Sequence, residues 1–284
     1  RIKAAFLLNI AKILKNDHHL PALANTEHVD VLKDGYVFRL KLAQYREMVL
    51  LKDCEESGPT GPILENAGKE LERLLVHQPL LSNVIHGIQQ QYASFGAGVR
   101  LAKRWISSHM LSAYLPDECI ELVMAHIYLH PYPQATPASP NAGFIRFLYL
   151  LSTFDWKNNA MILNFNDKLK VADFQEIQSY FTNNRPRLPT MFIATPEDKH
   201  SSYWTRDNPS LLILHRVALL AKESYAVLES QLLHSGNVAN DLKLIFRPSL
   251  EDYDVTISLQ EKFNGRRHQA IDSSKRCSYQ MKSS

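Results

Sequence analysis

The sequence predicts an α+β fold, mainly helical, with β-containing parts on either side of a helical body. Three observations predict it. Apolar residues recur at helical spacing through most of 63–233. The run HVDVLKDGYVFRLKL (28–42) places Asp34 and Gly35 between two β-prone segments, a strong hairpin signal. Two alternating runs, 242–246 and 255–259, follow the last helical stretch.

Taken in order, residues 2–14 (IKAAFLLNIAKIL) read as an amphipathic helix ending near Asn16 and Asp17. The hairpin follows. Residues 53–62 (DCEESGPTGP) are a linker by composition, with two prolines, two glycines and a cluster of charges. From 63 to 111 the pattern is two or three helices, punctuated by Pro79 and by FGAG at 95–98. Pro116, Asp117 and Glu118 start a helix running to about Leu129, with acids facing the N-terminal dipole. Residues 131–141 (PYPQATPASPN) are a proline-rich loop, and a helix spans roughly 142–153. Residues 161–163 read as a short strand, 171–181 as a helix, and 191–195 as a buried strand ended by Pro196. A long helix fills 209–233, with Asp207 or Asn208 as cap and Pro209 at its first position. The last residues, 260–284, hold six Lys/Arg against two Asp/Glu, many serines and few large apolar side chains, so disorder is expected there.

The 284 residues suffice for roughly two ordinary domains. The net charge of +3 permits contact with nucleic acid, but the basic footprint is thinner than that of a dedicated binder. The three cysteines, Cys54, Cys119 and Cys277, form no CxxC pair, which argues against a thiolate zinc site and for a reducing compartment. The longest apolar run, around 6–14, is broken by Asn9 and Lys12 and is too short to span a bilayer. Arg1 opens the chain without Met or a signal-peptide pattern, so a fragment of a longer protein is expected.

Arg100, Lys103 and Arg104 are the clearest charged group. Spacings of three and four put them on one helix face, which Ser107 continues, with Val99, Ala102, Trp105 and Ile106 on the opposite arc. Such a face suits phosphate contact; it is also the pattern of any solvated helix face. Gly96 and Gly98 lack the third glycine and the preceding strand of a dinucleotide fingerprint, so a turn between helices is expected. His126 and His130 stand four apart on a helix, but Ile127 breaks the HExxH pattern and no third ligand is near in sequence. His109 falls in the apolar arc of its helix. Asp252 and Asp254 alternate on one strand face, as Mg²⁺-binding acids of phosphoryl transfer do, yet the preceding DLKLIFRPSLE has no Gly-Ser turn to hold a triphosphate. Asp34 is explained as the turn residue before Gly35. There is no GxSxG, no P-loop and no cysteine with a credible histidine partner.

The run FGAGVRLAKRWISSHMLSAYLPDECIELVMAHIYL (95–129) resembles the helical substrate-binding domain of poly(A) polymerases and oligoadenylate synthetases. The matching positions are Arg100, Leu101, Lys103 and Trp105, then Glu121 and Leu122. A longer resemblance, over about 1–259, is to the nucleolar RNA-associated protein (Nrap) family. It rests on GYVFRLKL, on GFIRFLYLLSTFDWKNNAMILNFN, and on PTMFIATPEDKHSSYWTRDNPSLLILHRVALLAKES. The resemblance implies tandem nucleotidyltransferase-like domains without catalytic acids, each with a helical partner. It also implies membership of the small-subunit processome, which matures small-subunit ribosomal RNA in the nucleolus.

On that basis 1–55 is the end of a nucleotidyltransferase-like domain, 63–235 its helical poly(A) polymerase/oligoadenylate synthetase-like partner, and 236–259 the start of a final small α/β domain. The tail after Leu259 departs from the family. The expected function is that of a non-catalytic scaffold binding pre-ribosomal RNA and other processome proteins, with no cofactor, metal, small-molecule substrate or membrane. The Arg100, Lys103 and Arg104 face is the candidate contact for RNA or an acidic partner, with Arg185 and Arg187 beside Pro186 as weaker ones. The alternatives are a fragment of an active nucleotidyltransferase and a module that binds protein only.

Overall fold

The computed structural model describes residues 2–44, 46, 49, 68–201, 203–233, 244–248, 254, 255 and 257. The chain divides into two compact units between Pro79 and Leu80. The expected linker at 53–62, the tail at 260–284, Asp252 and most of the expected 255–259 strand lie outside the described residues.

The first unit is built on α1 (Ile2–Asn16) and a three-stranded antiparallel sheet of β1 (Ala22–Ala24), β2 (His28–Lys33) and β3 (Tyr36–Lys41) in that order. The β2–β3 hairpin forms as expected. Asp34 and Gly35 both hold positive φ, 53° and 79°, which makes the tight turn whose twist matches the strands. The sequence reading missed β1, a strand of only three residues. Leu7 and Ala11 of α1 pack on Val29 and Val31 of β2 to form this unit's core. Asp30 and Arg39 face each other across the ladder in a two-pronged ion pair at 2.8 Å for each prong. The hydrogen bonds from Arg39 hold the Asp30 carboxyl below its ordinary pKa, against the opposing effect of burial.

The second unit is a helical body with a small βαβ annex. A π-helical turn at Arg73–His77 and the first two residues of α2 (Gln78–Gln91) still belong to the first unit; the rest of α2 is followed in the second by α3 (Phe95–Ser108), α4 (Asp117–Leu129) and α5 (Pro140–Thr153). Pro79 has no N–H for the helical ladder, and the chain widens just before it, Gln78 N–H donating to the Arg73 carbonyl. Helix α4 is buried on most sides. Helix α5 starts two residues before the expected 142, because Ser139 caps it and Pro140 fits the first turn. Its Gly143 lies so close to Tyr128 that a Cβ there would stand 2.8 Å from the phenol oxygen.

The annex consists of β4 (Met161–Ile162), α6 (Val171–Asn184) and β5 (Ile193–Ala194), the two strands pairing in parallel. Phe181 of α6 packs on Phe192 in its core. In the loop after β5, Thr195, Asp198, Ser201 and Thr205 are buried and hydrogen-bonded within the loop and to β5. Asp198 N–H donates to Thr195 Oγ1, Tyr203 N–H to Asp198, Ile193 N–H to Ser201 Oγ, and Ser201 and Thr205 hydroxyls lie 2.6 Å apart. These residues belong to the stretch that most marks the family resemblance, so that stretch has a structural explanation.

Two expectations are corrected here. Helix α7 runs Leu211–Leu233, so Pro209 precedes it rather than opening it. The Asn208–Pro209 peptide is cis, and Ser210 supplies the cap, its Oγ accepting from Ile213 N–H at 3.5 Å. Residues 244–246 form a 3₁₀ turn, not a strand. The turn closes with Arg247 N–H on the Leu244 carbonyl at 3.0 Å. It brings the consecutive Ile245 and Phe246 to the same core, which strand alternation would forbid.

Candidate nucleic-acid interface

Helix α3 is amphipathic, as its sequence requires. Phe95, Val99, Ala102, Trp105 and Ile106 are buried, and Trp105 Nε1–H donates to Ser224 Oγ of α7 at 3.0 Å. Gly96 and Gly98 sit in the first turn of the helix, after the short turn at 92–94. The opposite arc carries Arg100, Lys103 and Arg104 on one face, where sequence placed them.

Their surroundings differ. Lys103 Nζ lies 2.6 Å from Glu121 and 3.1 Å from Asp117, both on α4. Burial disfavours its charge, but the hydrogen bonds and charges of Glu121 and then Asp117 outweigh it, and its pKa is raised. The two halves of the sequence motif, Lys103 and Glu121, are therefore a clasp between α3 and α4. Arg100 and Arg104 are exposed and make no ion pair among the described residues. Arg104 lies over the Phe246 ring, 5.8 Å from its centroid, and Phe246 in turn stacks on Phe144.

His109 caps the end of α3, its Nε2 bonded to the Ile245 carbonyl at 3.0 Å. Burial lowers its pKa, the carbonyl opposes this, and the nearby Arg216 lowers it further. Sequence reasoning did not foresee Phe246 and Ile245 here. The only signal was a short apolar run, which fits a strand and a turn equally well.

Arg185 follows α6 in a 3₁₀ turn, Arg185–Arg187. Its guanidinium donates to the carbonyls of Lys157, Trp156, Pro189 and Thr190 at 2.8 to 3.0 Å, with a longer contact to Leu188, and lies over Phe181. Burial lowers its pKa. Arg187, two residues on, is exposed.

The structure brings His126 and His130 together, their rings 4.7 Å apart. Burial, and then His130, push the His126 imidazole down to about 4, and its Nδ1 has no hydrogen-bond partner. Among the described residues no group of three or more His, Cys, Asp and Glu gathers as a metal site would need, and no helix is long and apolar enough to cross a membrane. Of the acid pair, Asp254 is exposed and Asp252 lies outside the described residues.

A family model described as the Nrap protein PAP/OAS1-like domain 5 matches residues 92–248, which gives the helical body its class. A second, described as the Nrap protein nucleotidyltransferase domain 4, matches residues 1–90. The chain belongs to the Nrap family, and its α+β fold agrees with the expectation from sequence. Among curated relatives, Nucleolar protein 6 of Xenopus tropicalis is 43% identical over 275 residues, 96% of this chain and 24% of that protein. The Homo sapiens protein of the same name is 44% identical over 276 residues, again 96% and 24%. That of Drosophila melanogaster is 34% identical over 269 residues, 91% and 22%. The chain thus spans about a quarter of the length of the curated relatives it matches. Membership places it in the nucleolus, within the nucleus.

Proposed function

We propose that the chain is a non-catalytic scaffold piece of the small-subunit processome, and that its helical body holds pre-ribosomal RNA by phosphate contacts through Arg100 and Arg104. One observation carries this reading. On the α3 face, two guanidiniums about one helical turn apart are exposed and have no carboxylate partner among the described residues. Unanswered positive charge at that spacing neutralises backbone phosphates without reading sequence. Lys103, between them, keeps the face in place through Asp117 and Glu121. Arg187 is a second, separate contact; Arg185 beside it orients the turn. Within the longer family protein, residues 1–90 serve as part of a nucleotidyltransferase-like domain and 92–248, with Ile245 and Phe246 packed in its core, as its helical partner. Other processome proteins are the remaining partners.

The non-catalytic reading is supported by the engagement of two acids of the hairpin: Asp30 is paired with Arg39, and Asp34 forms its turn. The test is binding of a labelled structured RNA to the chain across a salt series, with Mg²⁺ and ATP in a parallel lane. Binding that weakens linearly in log salt, with no 3′ extension, is expected. Absence of binding at low salt would overturn the RNA contact, and extension of the RNA would overturn the non-catalytic assignment.

A further inference from the structure

Packing around Arg104 is graded from the core outward. Phe144 of α5 is buried; Phe246, in the 3₁₀ turn, is partly buried and stacks on it, with ring centroids 5.8 Å apart and planes 15° apart. Arg104 lies over Phe246 and is exposed. The Phe246 backbone is itself held. Ile245, just before it, is buried, its carbonyl bonded to His109, and Arg247 N–H closes the turn on Leu244. The Arg104 guanidinium thus lies at cation–π distance over an aromatic ring that the core supports.

A guanidinium held in this way differs from a free cation. Its plane is a surface on which a nucleobase can stack, while its edge N–H groups still reach phosphate. Arg100, on the same face one turn away, has no aromatic ring beneath it among the described residues. The two arginines are therefore unlike in what they offer: Arg100 supplies charge, and Arg104 supplies charge and a supported plane. Bases inside a duplex are stacked on each other and cannot use that plane, whereas unpaired bases can.

We infer that Arg104, supported by Phe246 and Phe144, is a stacking shelf for an unpaired base, so that the RNA taken by the α3 face is single-stranded there. This rests on the phosphate-contact reading of the same face. The test uses the whole chain and two labelled oligoribonucleotides of equal length and charge, one carrying bases and one abasic at its central positions. The base-bearing strand is expected to bind about ten-fold tighter, the low end of the range for a base stacked on a side-chain platform. Arg104→Lys keeps the charge and removes the plane. It should collapse that ratio while leaving the salt dependence of the abasic strand unchanged, whereas Arg100→Lys should leave the ratio intact. Phe246→Leu, which removes the support beneath Arg104, should reduce the ratio partway. Equal binding of both strands by the wild-type chain would overturn the shelf and leave phosphate contact standing. An undiminished ratio in Arg104→Lys would do the same. Failure of both strands to bind would overturn the phosphate contact and the shelf together.

Discussion

Arg100 with Arg104 on α3, and Arg185 after α6, are basic residues of one kind in the sequence and of two kinds in the structure. The first pair faces solvent. The third donates to four backbone carbonyls within 3.0 Å and covers an aromatic ring. A count of basic residues measures charge; whether that charge is open to a partner depends on what neighbouring elements offer it. Lys103 shows the intermediate case, on the same helix face as the arginines but answered by two carboxylates of α4.

The largest expected effect is at Arg185. Arg185→Ala removes the donors of several partly buried carbonyls and should cost about 1–3 kcal/mol of stability, read as a lower urea midpoint. RNA affinity of the folded variant should stay near wild type; a stable variant with lost RNA affinity would erase the contrast with α3. Next comes the clasp. Lys103→Met leaves Glu121 partly buried without its partner and should destabilise the helical body by about 1–2 kcal/mol, with Glu121→Gln similar. If the two changes act through one contact, the double variant should be less destabilised than the sum of the singles; strict additivity would show that the clasp contributes nothing. The smallest stability effect is at the exposed pair: Arg100→Ala and Arg104→Ala should each stay within about 0.5 kcal/mol of wild type by thermal unfolding.

Much of the fold was legible because its signals are local. The Asp34 and Gly35 turn, the Pro116 helix start and the buried arc of α3 each follow from a few adjacent residues. What sequence did not give depends on distant residues. Ile245 and Phe246 read as a strand, but they meet His109, Phe144 and Arg104, and a 3₁₀ turn presents both at once. Pro209 read as the first residue of α7, yet Ser210 caps the helix and it starts at Leu211. The basic face was legible in position only. Nothing in the spacing of Arg100, Lys103 and Arg104 distinguishes the one that Glu121 engages, since that partner comes from the next helix.

The contrast between open and answered charge is tested most directly by the salt dependence of RNA binding, measured in parallel for wild type, the Arg100→Ala/Arg104→Ala double variant and Arg185→Ala. The double variant should bind more weakly across RNA sequences and lose up to about two from the slope of log affinity against log salt. Arg185→Ala should keep the wild-type slope. Identical slopes for wild type and the double variant, or a loss of slope in Arg185→Ala alone, would contradict the assignment of the α3 face.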